Sequence, residues 1–200
     1  MTAQLTVLIS GGGSNLAALL AACDSGELPA RVVRVIADRD CAGKQHALSR
    51  DIPFTLIDRK LPRDAFARAL HDAIPQDSDL VVLAGFLSIC PPQVVDAFPR
   101  KIINLHPSLL PAYGGAGMYG LHVHAAVIAA GETESGCTVH YVDQGIDTGS
   151  IIAQARVPVL PEDDAHNLQR RIAPEEHRLL VHTVARLLGD ATLNHKGSTC

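Results

Sequence analysis

The sequence predicts an α/β protein: a Rossmann-like wound, mostly parallel sheet with helices on both faces, ending in a C-terminal strand pair and a long helix. Three observations carry this expectation. Short β-branched runs alternate with amphipathic segments through the first half, the order that a parallel sheet with right-handed crossovers requires. Strand candidates such as Leu5-Thr6-Val7-Leu8-Ile9 and Leu80-Val81-Val82-Leu83 are apolar almost throughout, as befits strands covered on both faces. A glycine-rich turn joins the first strand to the first helix, and wound sheets bind ligands at such strand ends.

The first strand covers 5–9. In the helix after it, Leu16, Leu19, Leu20 and Cys23 fall at i, i+3, i+4 and i+7, one stripe facing a core. Strands follow at 31–37, 54–57 and 80–83. A helix at 61–73 starts with Pro62 just inside it, where the missing N–H costs little. A fifth strand at 101–106 leads through a glycine-rich connection, 107–120, to a helix at 121–130. Strands at 137–142 and 151–157 flank the turn-rich loop Asp143-Gln144-Gly145-Ile146-Asp147-Thr148-Gly149, and read as a hairpin or a pair sharing a long loop. The last helix spans 164–188 with a kink or break at Pro174. Residues 189–200 read as a loose polar tail. With no repeat, low-complexity tract or long linker, 1–188 is expected to be a single domain.

Composition narrows the function classes. Hydrophobic residues make up 47% of the 200 and charged residues 19%, which excludes a disordered chain. A formal net charge of -4 argues against a nucleic-acid partner or a polybasic membrane binder. Trp is absent and aromatics are 4%, so a base-stacking platform is not expected. No apolar run reaches the ~18 residues of a membrane span. The opening Met-Thr-Ala-Gln-Leu-Thr-Val lacks the basic region of a secretion signal. The cysteines are odd in number, widely spaced and without CxxC, which fits reduced thiols. A cytoplasmic protein is the expectation.

The loop Ile9-Ser10-Gly11-Gly12-Gly13-Ser14-Asn15 brings free N–H groups to the start of a helix, where an anion is favoured. A phosphate or carboxylate is the natural guest. Leu16 stands where a dinucleotide fingerprint wants Gly or Ala, and no Walker lysine follows. Asp38, ending the second strand, keeps a ribose-binding reading open. The plainer alternative is a tight turn with Ser14 as the N-cap.

In Ile103-Asn104-Leu105-His106-Pro107, strand alternation puts Asn104 and His106 on one face at the carboxyl end of a strand. Pro107 holds His106 extended. An amide N–H there can donate to an oxyanion, and an imidazole can move a proton near neutral pH. The alternative is a pair that shapes the strand end. Asp147, between Gly145 and Gly149, can be carried into a cleft, where its charge would raise the pKa of His106; a turn role, and the competing Asp143, stay open. Ten histidines invite a metal, but no HExxH or Cys/His cluster occurs, so no metal is expected. His140 reads as a core-edge residue or one standing behind the site. His177 and Glu176 read as a solvated face, and Cys90, before Pro91 and Pro92, as a thiol with no marked base. No GxSxG places a serine nucleophile.

Five segments together resemble the phosphoribosylglycinamide formyltransferases of the folate-dependent formyltransferase superfamily. They are Val7-Leu8-Ile9-Ser10-Gly11-Gly12-Gly13-Ser14-Asn15-Leu16, Leu83-Ala84-Gly85-Phe86-Leu87, Ile103-Asn104-Leu105-His106-Pro107-Ser108-Leu109-Leu110-Pro111, Gly136-Cys137-Thr138-Val139-His140-Tyr141-Val142-Asp143 and Gly145-Ile146-Asp147-Thr148-Gly149. Order and spacing agree over residues 5–188. The resemblance implies formyl transfer from 10-formyltetrahydrofolate to the amine of glycinamide ribonucleotide in purine biosynthesis, without a metal. It implies that Asn104 stabilises the oxyanion, that His106 moves the proton and that Asp147 orients or charges His106. Gly12, Gly13, Ser14, Asn15 and Glu176 would hold the ribonucleotide. Arg63, Leu87, Ser88, Ile89, Cys90, Asn104 and Asp143 would hold the folate. Partners would be these small molecules alone, in a monomer or homodimer.

Two features depart from the family. Ser88 stands where much of it has an arginine that meets the folate's acidic tail. The 114–120 stretch is longer than in short-looped members, a candidate lid. Methionyl-tRNA formyltransferase would need a C-terminal tRNA-binding domain, and formyltetrahydrofolate deformylase an N-terminal regulatory one; neither is expected here. A non-enzymatic nucleotide-binding domain would leave Asn104, His106 and Asp147 unexplained.

Overall fold

The structure, a computed structural model, describes residues 2–196, with side chains as far as residue 189. In chain order the elements are β1 (Ala3–Ile9), α1 (Ser14–Ser25), β2 (Ala30–Ala37), α2 (Lys44–Leu48), β3 (Phe54–Leu56), α3 (Arg63–Ala73), β4 (Leu80–Leu83), α4 (Pro92–Ala97), β5 (Ile102–His106), α5 (Leu121–Ala129), β6 (Glu134–Tyr141), β7 (Ile151–Pro158) and α6 (Ala165–Lys196). The strands form one sheet in the order β3-β2-β1-β4-β5-β6-β7. Pairing is parallel from β3 through β5 and antiparallel at β5–β6 and β6–β7. The expected wound sheet and C-terminal strand pair are both present.

Alternation along β1 explains how the two faces are covered. Leu5, Val7 and Ile9 pack with Leu16, Leu19 and Leu20 of α1 and with Leu180 and Val184 of α6. Leu8, on the other face, joins Val81 and Leu83 of β4, Phe66 and Leu70 of α3 and Val94 of α4. These side chains are nearly all fully buried, and each contributes about 1.5–3 kcal/mol by leaving water. After β1 the chain passes to β2 on one side, and later to β4 on the other. The crevice beyond the carboxyl ends of β1 and β4 is therefore a topological switch point, where wound sheets place ligands.

Four local features differ from the sequence reading. Helices α2 and α4 span only 5 and 6 residues, too short to show a helical period. Pro62 caps α3 from outside rather than entering it. Helix α6 is not broken at Pro174; packing against α1, α5, β6 and β7 outweighs the ~3 kcal/mol an internal proline costs. The same helix continues over 189–196, which the sequence suggested as a loose tail. Gly189 is not among the left-handed glycines that would end it. Residues 197–200 of that expected tail lie outside the described residues.

Candidate active site

A cleft of about 580 Å3 opens at the switch point. It is lined by the loop after β1, the loop after β4, the end of β5, the glycine-rich connection and the β6–β7 loop. The structure thereby brings Gly12, Gly13, Ser14, Asn15, Leu87, Ser88, Ile89, Cys90, Asn104, His106, Asp143, Asp147 and Glu176 to one cavity. Arg63 is not part of it. As the exposed first residue of α3, it stays outside the cleft wall.

The glycine loop works through backbone. Gly13, at φ 75, caps α1 with no side-chain hydrogen bond, so Ser14 is not the N-cap and the first N–H groups of the helix stay free for an anion. A Cβ on Gly13 would come within 3.0 Å of the Gly43 Cα, and one on Gly43 within 2.7 Å of the Gly11 carbonyl oxygen. The Gly43 N–H donates to that same oxygen at 3.0 Å. Gly43 thus braces the loop, a role its isolated place in the sequence did not signal.

At the centre, β5 pairs with β6 so that Asn104 lies opposite His140, and His106 opposite Thr138. His106 is 4% exposed. Its Nε2 lies 2.9 Å from the Tyr113 carbonyl oxygen. A carbonyl only accepts, so Nε2 carries a proton and Nδ1 is the nitrogen that titrates. Nδ1 faces the Asp147 Oδ2 at 3.5 Å. Burial lowers the pKa of His106, and the opposing pull of the Asp147 charge and the Tyr113 carbonyl does not cancel it. This corrects the expected net rise: in a desolvated site the cost of the imidazolium exceeds the attraction of one carboxylate. His106 is neutral at pH 7, with a free lone pair on Nδ1.

Asp147 sits at φ 57, a left-handed conformation that Asp tolerates. Burial alone would raise its pKa, but the neighbouring His140 and His106 rings and the Gly115 N–H together lower it. The Gly115 N–H donates to Oδ2 at 3.0 Å, and the Asn104 Nδ2 lies 3.4 Å from Oδ1. Asp147 therefore stays an anion within reach of both partners.

The sequence leaves His140 as a core-edge residue or one behind the site, and the structure gives it specific partners. Its Nδ1 donates to the Tyr141 carbonyl oxygen at 2.8 Å, and its Nε2 accepts from the Asn104 Nδ2 at 3.1 Å. That tautomer fixes the amide of Asn104, with its second N–H beside Asp147 and toward the cleft. The signal in the sequence was the Thr138/His140 alternation, but the register with β5 was not legible.

His124, in the first turn of α5, also lines the cleft. It is 1% exposed, and its Nδ1 has no hydrogen-bond partner among the described residues. Burial, aided by His106, lowers its pKa from 6.5 to about 4. The folded pKa is below the unfolded one, so the neutral ring's contribution is complete above pH 6.5 and is lost as pH falls toward 4. The shift amounts to about 3 kcal/mol at 1.36 kcal/mol per unit. His124→Leu is expected to flatten the fall in stability between pH 7.5 and 4.5, read by urea unfolding; an unchanged slope would contradict this.

Other residues resolve differently from their sequence readings. Glu176 is no solvated residue: burial raises its pKa, only partly offset by Asn15, whose Nδ2 is 3.5 Å from Oε2. The Nε2 of His177 is buried, so it does not lie on a solvated face either. Asp143 accepts from the Gly145 N–H at 3.0 Å and from the Thr148 hydroxyl at 2.7 Å, a turn role that coexists with its place in the cleft wall. Burial pushes the Cys90 thiol up to about 12, which makes it wall rather than nucleophile. Asp38 is 0% exposed and does not line the cleft, so no ribose reaches it. Leu87 and Ile89 are 45% and 65% exposed at the rim, an apolar surface suited to a flat ring. No helix among the described residues is long and apolar enough to cross a membrane.

Residues 3–184 match the formyl transferase family. The chain is 45% identical over 188 residues to a phosphoribosylglycinamide formyltransferase of Mycobacterium tuberculosis (strain CDC 1551 / Oshkosh), covering 92% of this chain and 85% of that one. It is 39% identical over 189 residues to the chloroplastic phosphoribosylglycinamide formyltransferase of Arabidopsis thaliana, covering 92% of this chain. It spans 65% of that plant protein's length and 60% of the one from Vigna unguiculata, less than two thirds of either. Among solved structures, glycinamide ribonucleotide transformylase 1 from Symbiobacterium toebii superposes with a TM-score of 0.87 at 39% identity, covering 94% of this chain and 89% of that one.

Proposed function

This chain belongs to the formyl transferase family, and on that premise we propose that it moves the formyl group of 10-formyltetrahydrofolate onto the amine of glycinamide ribonucleotide. The observation that carries the reading is the convergence of Asn104, His106 and Asp147 on one cleft whose other wall is the anion loop. Gly12, Gly13, Ser14 and Asn15 hold the ribonucleotide phosphate on free backbone N–H groups, and Glu176 takes part beside Asn15. Leu87, Ile89 and Cys90 offer the apolar wall for the folate, with Asp143 across from them.

The amine attacks the formyl carbon, forming a C–N bond and an oxyanion. The N–H of Asn104 that faces Asp147 turns to donate to that oxygen. The neutral Nδ1 of His106 takes the proton the amine loses, and Asp147 stabilises the imidazolium. Collapse breaks the bond to N10 of the folate, and the proton passes to that nitrogen. Formylated ribonucleotide and tetrahydrofolate leave.

The test offers one donor, 10-formyltetrahydrofolate, to three acceptors: glycinamide ribonucleotide, water and charged initiator tRNA. Transfer to the ribonucleotide is expected to dominate. Release of formate alone, or formylation of the tRNA, would overturn the reading. Gly13→Ala adds about 1–3 kcal/mol of strain where the loop meets Gly43, and is expected to raise KM for the ribonucleotide about tenfold or more while KM for the folate holds. Equal KM values for the variant and the wild type would refute phosphate binding at this loop.

A further inference from the structure

The end of β2 holds a wholly buried carboxylate that the reaction does not use. The Asp38 Oδ2 accepts from the Ser88 hydroxyl at 2.7 Å, and its two oxygens take Nε and a terminal N–H of Arg39 at 3.1 and 3.3 Å. Burial would raise the pKa of Asp38, but Arg39, Ser88 and Ser10 together hold it lowered. The Ser10 hydroxyl oxygen in turn accepts the Leu87 N–H at 2.8 Å, and the Ser10 N–H donates to the Gly85 carbonyl oxygen at 3.1 Å.

These bonds join three segments that are distant in sequence. Strand β1 lies between β2 and β4, so a carboxylate after β2 reaches across the end of β1 to the loop after β4. Ser10 immediately precedes the anion loop. Leu87 and Ser88 open the apolar wall of the cleft. A buried carboxylate is costly unless donors satisfy it; here one donor is Ser88 of the folate wall, whose neighbour Leu87 is held in turn by Ser10 at the base of the anion loop. The Ser88 hydroxyl is turned to Asp38 and serves as a strut, which gives a physical role to the serine at this position.

We propose that Asp38 is a positioning residue that locks the folate wall at Leu87 and Ser88 to the base of the anion loop at Ser10. The inference rests on the formyl-transfer reading for the identity of the ligand at that wall. Asp38→Asn keeps the side chain's shape but replaces one acceptor oxygen with a donor that faces other donors. The wall then loses its anchor while Asn104, His106 and Asp147 keep theirs.

The experiment compares wild type and Asp38→Asn by calorimetric titration with tetrahydrofolate, steady-state kinetics with 10-formyltetrahydrofolate, and amide exchange at Leu87. The variant is expected to bind tetrahydrofolate about tenfold more weakly, with kcat at saturation within about threefold of wild type and faster exchange at Leu87. Ser88→Ala, which leaves Asp38 bound to Arg39, moves affinity the same way. The double variant is expected to be no weaker than Asp38→Asn alone, because the two share one interaction. Unchanged affinity in a folded Asp38→Asn protein, or a fall in kcat with KM unaltered, would overturn the proposal. If Asp38→Asn does not fold, Ser88→Ala decides the matter: unchanged affinity there overturns it as well. A wild-type protein that binds no tetrahydrofolate and transfers no formyl group would instead remove the activity reading.

Discussion

Asn104→Ala is expected to lower kcat by about 10²- to 10³-fold, the scale of deleting one oxyanion donor, with KM for both substrates little changed. The argument rests on where the amide is held. His140, pinned by the Tyr141 carbonyl oxygen, presents a lone pair that takes one N–H of Asn104. The other N–H is left beside Asp147 at the long distance of 3.4 Å, so it can turn to a developing oxyanion at little cost. That interaction exists only once the formyl oxygen is charged, so its loss falls on kcat rather than on binding. Alanine also leaves His140 Nε2 without its donor in a buried place, which costs about 1–3 kcal/mol of stability. Thermal unfolding should accompany the kinetics. A folded variant with near wild-type kcat would remove Asn104 from the chemistry.

Asp147→Asn is expected to lower kcat by about 10²- to 10⁴-fold, the range for general acid–base assistance, and to move the acid limb of the kcat/KM profile to lower pH. The sign follows from the site. Asp147 is the charge that opposes the downward pull of burial on His106. Without it the His106 pKa falls further, so the ring stays neutral and able to accept a proton at more acidic pH. The rate still drops, because the imidazolium formed in the transition state has lost its counter-charge. The amide can still accept the Gly115 N–H, so the glycine-rich connection keeps its tie. An unshifted acid limb would show that His106 and Asp147 do not act together.

Much of this is legible in the sequence alone. The alternation of strands and helices, the apolar character of 5–9 and 80–83, and the turn at Gly11 to Gly13 are local signals with a fixed period, and they led to the wound sheet. Asn104 and His106 were legible because strand alternation and a following proline determine where two side chains point. Asp147 was weaker, since a loop residue between glycines has no period to follow, and the five-segment resemblance singled it out. What the sequence hid depends on contacts between distant segments. His140 reaches Asn104 through the β5–β6 register. Gly43 braces the anion loop across a gap no spacing rule describes. Asp38 leaves a ribose-binding reading open in the sequence, and its burial against Ser88 and Arg39 is a tertiary fact. The His106 pKa shifts opposite to the sequence expectation because neighbouring charge is visible in a motif, while desolvation is not. Arg63 matched by position, yet α3 leaves it outside the cleft.

The most direct test is a single-turnover reaction with 10-formyltetrahydrofolate labelled with carbon-13 in the formyl group and one equivalent of glycinamide ribonucleotide, followed by nuclear magnetic resonance. The account predicts that the label moves to the glycinamide nitrogen with equimolar tetrahydrofolate and without free formate, and that His106→Ala slows this step. Label appearing as formate, or remaining on the folate while both ligands are bound, would contradict it.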